Sequence, residues 1–171
     1  MTIFFSDGSS MAEAAGGKIL QTIQTTKTDQ FSASSASSWT DITGLSVSIT
    51  PASSSNKILV TAGIAMGLSH FYGFNYVWRM VRGSTGIGVG TNSTSSTNAS
   101  GGANLYNEGG NVPYLFGNTK QVLDSPSTTS STTYKVQAHA DSGNATIFVN
   151  RRGSSVHCTG FSFITVQEVA A

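Results

Sequence analysis

Residue types that commonly serve in catalytic or metal sites are sparse in this chain of 171 residues. Its three histidines and its single cysteine are spread along the sequence, and only His157 and Cys158 are neighbours. Zinc needs ligands that converge on one point, and His70 and His139 have no partner at a metal-ligand spacing. Adjacent residues on a strand point to opposite faces, so His157 is not placed to activate Cys158. We therefore expect no metal site.

Two further patterns bear on nucleotide binding and on hydrolysis. Gly86 to Gly90 forms a GxGxG string, but no helical pattern follows it that would supply an anion-binding N-terminus. The eight acidic residues occur singly, without the local pair that would suggest glycoside hydrolysis, although distant carboxylates can converge in a fold. We predict that the protein is not an enzyme and binds no cofactor.

Charge and cysteine content also exclude several classes of partner. The net charge is +1, and the nine Lys and Arg residues are scattered, so no nucleic-acid interface is expected. The longest apolar run, 58–68, is too short and too interrupted to span a bilayer, so membrane insertion is not expected. The first residues lack the basic region of a secretory signal. One cysteine allows no internal disulfide, which fits assembly in a reducing cytoplasm.

The elements that position any site are predicted to be β-strands. Ser and Thr together make up 48 of the 171 residues, while 38% of residues are hydrophobic and 10% are charged. The apolar residues alternate with the hydroxyl-bearing ones, which favours sheets whose outer faces carry Ser and Thr over a disordered chain.

The clearest alternation lies in the segment 120–151. Tyr134, Val136, Ala138 and Ala140 share one face of a strand, and Thr133, Lys135, Gln137, His139 and Asp141 share the other. The sequence Asp-Ser-Gly-Asn at 141–144 predicts a turn into a strand over 145–151, so these two strands are expected to form a hairpin. Asp124 is given a structural role at a strand end. Arg151 and Arg152 are expected to pair with Asp124 or with a neighbour's carboxylate, and an exposed charge pair is the alternative.

Similar runs recur along the chain and predict about ten strands without a confident helix. The run 57–67 has two apolar faces and is expected to be a central strand. Gly44 is expected to separate two short strands. These features predict an antiparallel β-sandwich or jelly roll. The other predicted strands cover 18–25, 38–42, 45–50, 71–82, 85–90, 112–116 and 161–169.

Six segments of the chain form a recognisable set: GGKILQTIQTTKTDQFS (16–32), WTDITGLSVSITPASSSNKILV (39–60), LDSP (123–126), TYKVQ (133–137), VNR (149–151) and ITVQEVAA (164–171). They resemble a group of bacteriophage virion proteins, many from phages of aquatic bacteria. Together these segments cover most of residues 16–171, apart from the glycine-rich region between about 83 and 118. The resemblance implies a fibre, spike or decoration protein of the virion, with a trimeric jelly roll of the tumour-necrosis-factor-like kind.

The first 17 residues differ from the rest and are predicted to form an N-terminal docking arm on a jelly-roll domain at 18–171. Ile3, Phe4 and Phe5 form an isolated apolar group, which is costly to leave in water. The arm is expected to bind another virion protein, of the capsid or tail, or a neighbouring subunit. A frayed terminus, or a strand added to the domain's own sheet, is the alternative.

A chain poor in charge and rich in strand aromatics has apolar surface to bury, and a homotrimer is one way to bury it. Aromatic residues on loop tips are expected to contact a host surface glycan or protein, since a ring offers a sugar an apolar platform. Tyr76, Trp78, Phe148, Phe161 and Phe163 are assigned to the core or the trimer interface, and Phe71, Tyr72, Tyr106 and Tyr114 to the ligand-contact loops.

The expected function is that of a non-enzymatic structural component of the virion, assembled in the host cytoplasm and exposed on the particle. A contribution to host attachment is left open. Two alternatives remain at this point: a capsid decoration protein without a receptor role, and a monomeric carbohydrate-binding module. The position on the particle, the host and the receptor do not follow from the sequence.

Overall fold

A computed structural model of the protein describes residues 3–4, 10–11, 17–34, 38–68, 75–91, 97–104, 115–140, 146–153 and 158–171. Every regular element in these ranges is a β-strand, and every strand pair is antiparallel, which confirms the predicted all-β fold. The strands are β1 Ile3–Phe4, β2 Ser10–Met11, β3 Ile19–Lys27, β4 Phe31–Ser34, β5 Thr40–Ile49, β6 Lys57–Leu68, β7 Asn75–Arg82, β8 Thr85–Ile87, β9 Gly101–Asn104, β10 Leu115–Asp124, β11 Thr132–Ala140, β12 Thr146–Val149 and β13 Ser162–Val169.

The first sheet is built around β6, which confirms the prediction of a central strand. One edge of β6 pairs with β10 along ten residues. The other edge pairs first with β13 and then, towards Leu68, with β12. Beyond these, β3 pairs with β13 and β4 pairs with β12. The six strands therefore form a sheet four strands wide, in which β13 and β12 follow one another along the same edge of β6.

The second sheet has the order β5-β11-β7-β8, and β9 pairs with β7 beside β8. The inward face of β11 is the predicted one, since Tyr134, Val136, Ala138 and Ala140 are all fully buried. They meet the inward residues of β6, including Val60 and Ile64. The two sheets thus enclose one apolar core, and eleven strands form an antiparallel, jelly-roll-like sandwich in the part of the chain that the structure describes.

Polar side chains close both open sides of this sandwich. On one side, Gln21 and Thr25 of β3 donate to the backbone carbonyls of Thr50 and Ser46, each at 2.9 Å. This satisfies acceptors along the edge of β5, which would otherwise be an unpaired strand edge.

On the other side, Asp124 at the end of β10 is bound by the second sheet. Arg82 donates to both of its oxygens at 2.8 and 2.7 Å, and the Tyr134 hydroxyl donates at 2.7 Å. Burial, together with this bond to a carboxylate, raises the pKa of Tyr134. Asp124 therefore has a structural role, but its partner is Arg82. The expectation that Arg151 or Arg152 pairs with it is wrong for this chain, because β12 carries Arg151 to the far end of the first sheet.

Asn150 directly follows β12. It lies at the point along β6 where pairing with β12 ends and pairing with β13 begins. It is fully buried and has a left-handed backbone with φ of 62°. Its amide nitrogen Nδ2 donates to the carbonyls of Lys27 and Asp29 at 2.8 and 3.0 Å. Its Oδ1 accepts from the Ser162 hydroxyl at 2.6 Å, which in turn accepts from the Ala65 amide. One side chain therefore joins β3, β13 and β6 at the point where the pairing partner of β6 changes.

Glu168 of β13 is a buried carboxylate that also organises backbone. It accepts from the Ala52 amide at 2.7 Å and from the side chains of Asn56 and Gln21, each at 2.6 Å. Burial alone would raise the pKa of Glu168, but these donors hold it below the usual value for glutamate. The carboxylate thereby anchors the connection between β5 and β6.

Two sequence-based expectations about the strands are wrong. The run 145–151 does not form a hairpin with β11, because β12 pairs with β4 and β6 in the first sheet whereas β11 lies in the second. The chain crosses between sheets here, so each strand buries its apolar face against the other sheet. Gly44 does not separate two strands either. It takes φ of +86° within a bulge of β5 that keeps both Ile42 and Leu45 inward.

We predict that Asn150→Ala lowers the free energy of unfolding by about 3 kcal/mol, because it leaves buried carbonyls without donors and places alanine at a left-handed position. Denaturant unfolding at one fixed protein concentration measures this loss. Ser127→Ala is the matched control, since Ser127 also has a positive φ, of 53°, but is exposed. A loss at Asn150 no larger than that at Ser127 would contradict the role given to its side chain.

Candidate functional site

The two outer faces of the sandwich differ in charge. Outward positions of β3, β6, β10 and β13 carry hydroxyl, amide, small and apolar side chains, and we call this set the uncharged face. Lys57 lies beyond one end of it. The uncharged face comprises Thr22, Gln24, Thr26, Leu59, Thr61, Gly63, Ala65, Gly117, Thr119, Gln121, Leu123, Phe163, Thr165 and Gln167.

Side-chain hydrogen bonds run across the strands of the uncharged face. Gln121 of β10 donates to Thr61 of β6 at 2.9 Å, and Thr165 of β13 donates to Gln24 of β3 at 2.9 Å. Gln167 donates to Thr22 at 3.2 Å in the next row. Because these polar groups bind one another, covering the face with another surface leaves fewer of them without a partner.

Phenylalanine side chains cluster at one end of this face. The Phe163 ring lies over Gly63, where a β-carbon would collide with it. The Phe161 ring is 6.3 Å from that of Phe163, and Phe161 is 60% exposed. The other large hydrophobic residues exposed in the described part of the chain, Ile19, Leu20 and Leu123, also belong to the first sheet. Apolar exposure is thus concentrated on one side of the sandwich.

The second sheet carries charged and amide side chains on its outer face. Asp41 of β5 accepts from Lys135 at 2.6 Å and from the Gln137 amide at 2.7 Å, both on β11. Burial alone would raise the pKa of Asp41, but these two bonds lower it below its usual value. Arg79 of β7 donates through Nε to the Gln137 carbonyl oxygen at 2.9 Å. These four side chains therefore form one row across three strands.

Trp39, which precedes β5, covers the end of this row. The guanidinium carbon of Arg79 lies 4.1 Å from the centre of the Trp39 ring, a cation–π contact. The ring centre of His139 lies 5.3 Å from that of Trp39. Partial burial lowers the pKa of Arg79, whose side chain still stays charged at neutral pH. We call the set Trp39, Asp41, Arg79, Lys135, Gln137 and His139 the charged face.

The aromatic residues assigned to the core or to a trimer interface occupy two different places. Tyr76 and Trp78 are fully buried in the core. Phe163 and Phe161 lie at the uncharged face. Phe148 of β12 is partly buried and points outward, with the Arg151 guanidinium 4.5 Å from its ring centre. These three phenylalanines are therefore the members of the set available to an interface.

Other predicted site residues cannot be placed. Phe71, Tyr72, Tyr106 and Tyr114, the expected ligand-contact residues, lie outside the described residues, and so does Phe5 of the expected docking arm. Ile3 and Phe4 form β1, which pairs with β2. The docking arm and the ligand-contact loops therefore stay predictions.

The described residues show no arrangement of metal ligands. Within those ranges no group of three or more His, Cys, Asp or Glu side chains could hold a metal ion. Cys158 is exposed, and His157 lies outside the described residues. His139 lies against Trp39. The same ranges contain no helix that is long and apolar enough to cross a membrane.

Comparison with protein-family profiles and with curated proteins finds no match to this chain.

Sequence reasoning missed the association of Trp39 with Arg79. The alternation of β7 and β11 did place Arg79, Lys135 and Gln137 on the faces opposite the buried aromatic residues. No local signal, however, indicated that Trp39 lies over β7. The two residues are 40 positions apart, and they meet because β5, which follows Trp39, and β7 both pair with β11.

Proposed function

We propose that this chain is a non-enzymatic structural protein of a bacteriophage particle, a trimeric fibre, spike or decoration component exposed on the virion. The proposal rests on the resemblance of most of residues 16–171 to virion proteins. The structural observation that supports it is the uncharged face, which another copy of the chain could cover without taking a charged side chain out of water.

Burying the uncharged face would require no charged group to leave water. Desolvating an unpaired charge costs several kcal/mol, whereas hydroxyl and amide groups that already bind one another lose little. The exposed side chains of Phe161 and Leu123, at 60% and 48% exposure, would gain from burial. The charged face offers no comparable gain, because Asp41 and Lys135 are partly hydrated there.

Three copies around one axis would each turn the uncharged face towards that axis, and each contact between two copies would join two different parts of the face. A twofold dimer could bury the same face, and the choice of three copies comes from the resemblance. In this arrangement Phe148, Phe161 and Phe163 lie near the subunit contacts, while Tyr76 and Trp78 stabilise each subunit from within. The charged face and the loops between strands are then left towards solvent, where contact with a host surface would take place.

The position on the particle distinguishes two forms of this proposal. A fibre or spike meets the host, whereas a capsid decoration protein binds the shell, with the N-terminal arm as the expected contact, and has no receptor role. A monomeric carbohydrate-binding module, the remaining alternative, would leave the uncharged face in water.

The virion assignment is tested by quantitative mass spectrometry of gradient-purified phage particles that encode this chain. We expect its peptides to sediment with the major capsid protein at a fixed copy number divisible by three. Recovery of the chain only from the particle-free fraction of the lysate would contradict a structural role in the virion.

The assignment of the interface is tested by placing a charge on each face in turn. We expect Thr165→Glu, in the middle of the uncharged face, to weaken self-association by about 100-fold or more, because an unpaired carboxylate would be buried at the contact. Ser46→Glu, at an exposed outward position of β5, is the matched control and should associate like the unmodified chain. Sedimentation velocity across a concentration series measures both. Dissociation by Ser46→Glu alone would place the interface on the other sheet.

A further inference from the structure

The Arg79 guanidinium is held in one orientation although it does not complete an ion pair within the described chain. The Trp39 ring, 4.1 Å from its central carbon, fixes the plane of the group. The bond from Nε to Gln137 at 2.9 Å fixes its rotation within that plane. An arginine fixed in this way has already lost much of the side-chain freedom that binding would otherwise cost.

The neighbouring carboxylate is engaged elsewhere. Asp41, the acidic residue of the charged face, accepts from Lys135 through one oxygen and from Gln137 through the other. Arg82, the last residue of β7, has both oxygens of Asp124 as acceptors. By contrast, no described carboxylate lies within ion-pair distance of Arg79, and its two η nitrogens donate to no described acceptor. The paired η nitrogens match the two oxygens of a carboxylate.

We propose that Arg79 is a binding site for the carboxylate of an acidic sugar residue, such as a uronic acid, on the charged face. The two η nitrogens donate to the carboxylate oxygens. Asp41 accepts from a sugar hydroxyl, while the Lys135 ammonium donates to another. Trp39 and Gln137 are positioning residues that hold the guanidinium.

The surroundings of Arg79 favour a sugar over an acidic peptide. Asp41 repels a second nearby carboxylate, which a run of acidic side chains on a flexible peptide would bring. In an oligomer of uronic acids, each carboxylate is surrounded by the hydroxyl groups of its own ring, and the rings hold successive carboxylates apart. Farther along the same face, beyond Lys135, Ser48 and Thr133 have their hydroxyl oxygens 2.8 Å apart and add further groups that bind hydroxyls. This inference goes beyond the proposed function, and it does not require the chain to be trimeric or part of a particle.

The test is calorimetric titration of the full chain with trigalacturonate. We expect saturable binding that the methyl-esterified trisaccharide, which has the same rings without the charge, does not show. Arg79→Lys keeps the charge but removes the fork, and it should weaken binding by about 10-fold or more, given the usual strength of charge-assisted hydrogen bonds. Lys120→Gln removes a positive charge from the other sheet and should leave the affinity unchanged.

A second variant guards against an effect on folding. Gln137→Glu supplies a carboxylate to Arg79 within the chain and should abolish binding. It also removes the amide that donates to Asp41, so its melting temperature is measured beside that of Arg79→Lys. The proposal is overturned if the methyl ester binds as well as the acid, or if Arg79→Lys and Gln137→Glu bind as the unmodified chain does. Absence of binding up to millimolar trigalacturonate, or tighter binding of triglutamate, also overturns it. Because the isolated protein is used, none of these outcomes depends on the virion assignment.

Discussion

The buried hydrogen bonds of Asn150 are the constraint on which the first sheet depends. The strand β6 is longer than β12 or β13, so these two strands pair with successive parts of the same edge of β6. At the junction between β12 and β13, backbone groups lie in the interior without a neighbouring strand, where an unpaired group is costly. Asn150 and Ser162 bind these groups, and the same bonds fix the end of β3 through Lys27. The register of β13 on β6 and of β3 on β13, and with it the composition of the uncharged face, follows from this junction.

A fixed register makes the two outer faces chemically distinct. With period-two alternation, a shift by one residue would exchange inward and outward side chains throughout a strand. In the observed register, Thr165 and Gln121 lie on the uncharged face while Ile164 and Val122 face the core. The register of the second sheet is set separately by its bulge, and the Tyr134–Asp124 bond joins this sheet to the first. We propose that one of these surfaces associates with copies of the chain and that the other binds a charged ligand.

Much of this fold could be predicted from alternation alone, because burial of one strand face is a local property of sequence. The inward face of β11 and the central position of β6 were both predictable in this way. Strand partners were not, since a turn sequence at 141–144 fits a hairpin and a sheet-to-sheet crossing equally well. The role of Asn150 and the contact of Trp39 with Arg79 were hidden for the same reason. Each depends on residues that long-range strand pairing brings together, and the spacing of residues in the sequence does not indicate which strands pair.

The native mass of the isolated full chain, followed by dilution from micromolar concentration, tests the central claim most directly. If the uncharged face joins three copies, the protein has three times the mass of one chain and resists dilution, as large apolar interfaces do. A species with the mass of a single chain throughout the series would contradict the trimer. The uncharged face would then be solvent-exposed in the free protein, and a binding module or a protein that assembles only on its shell would describe it better.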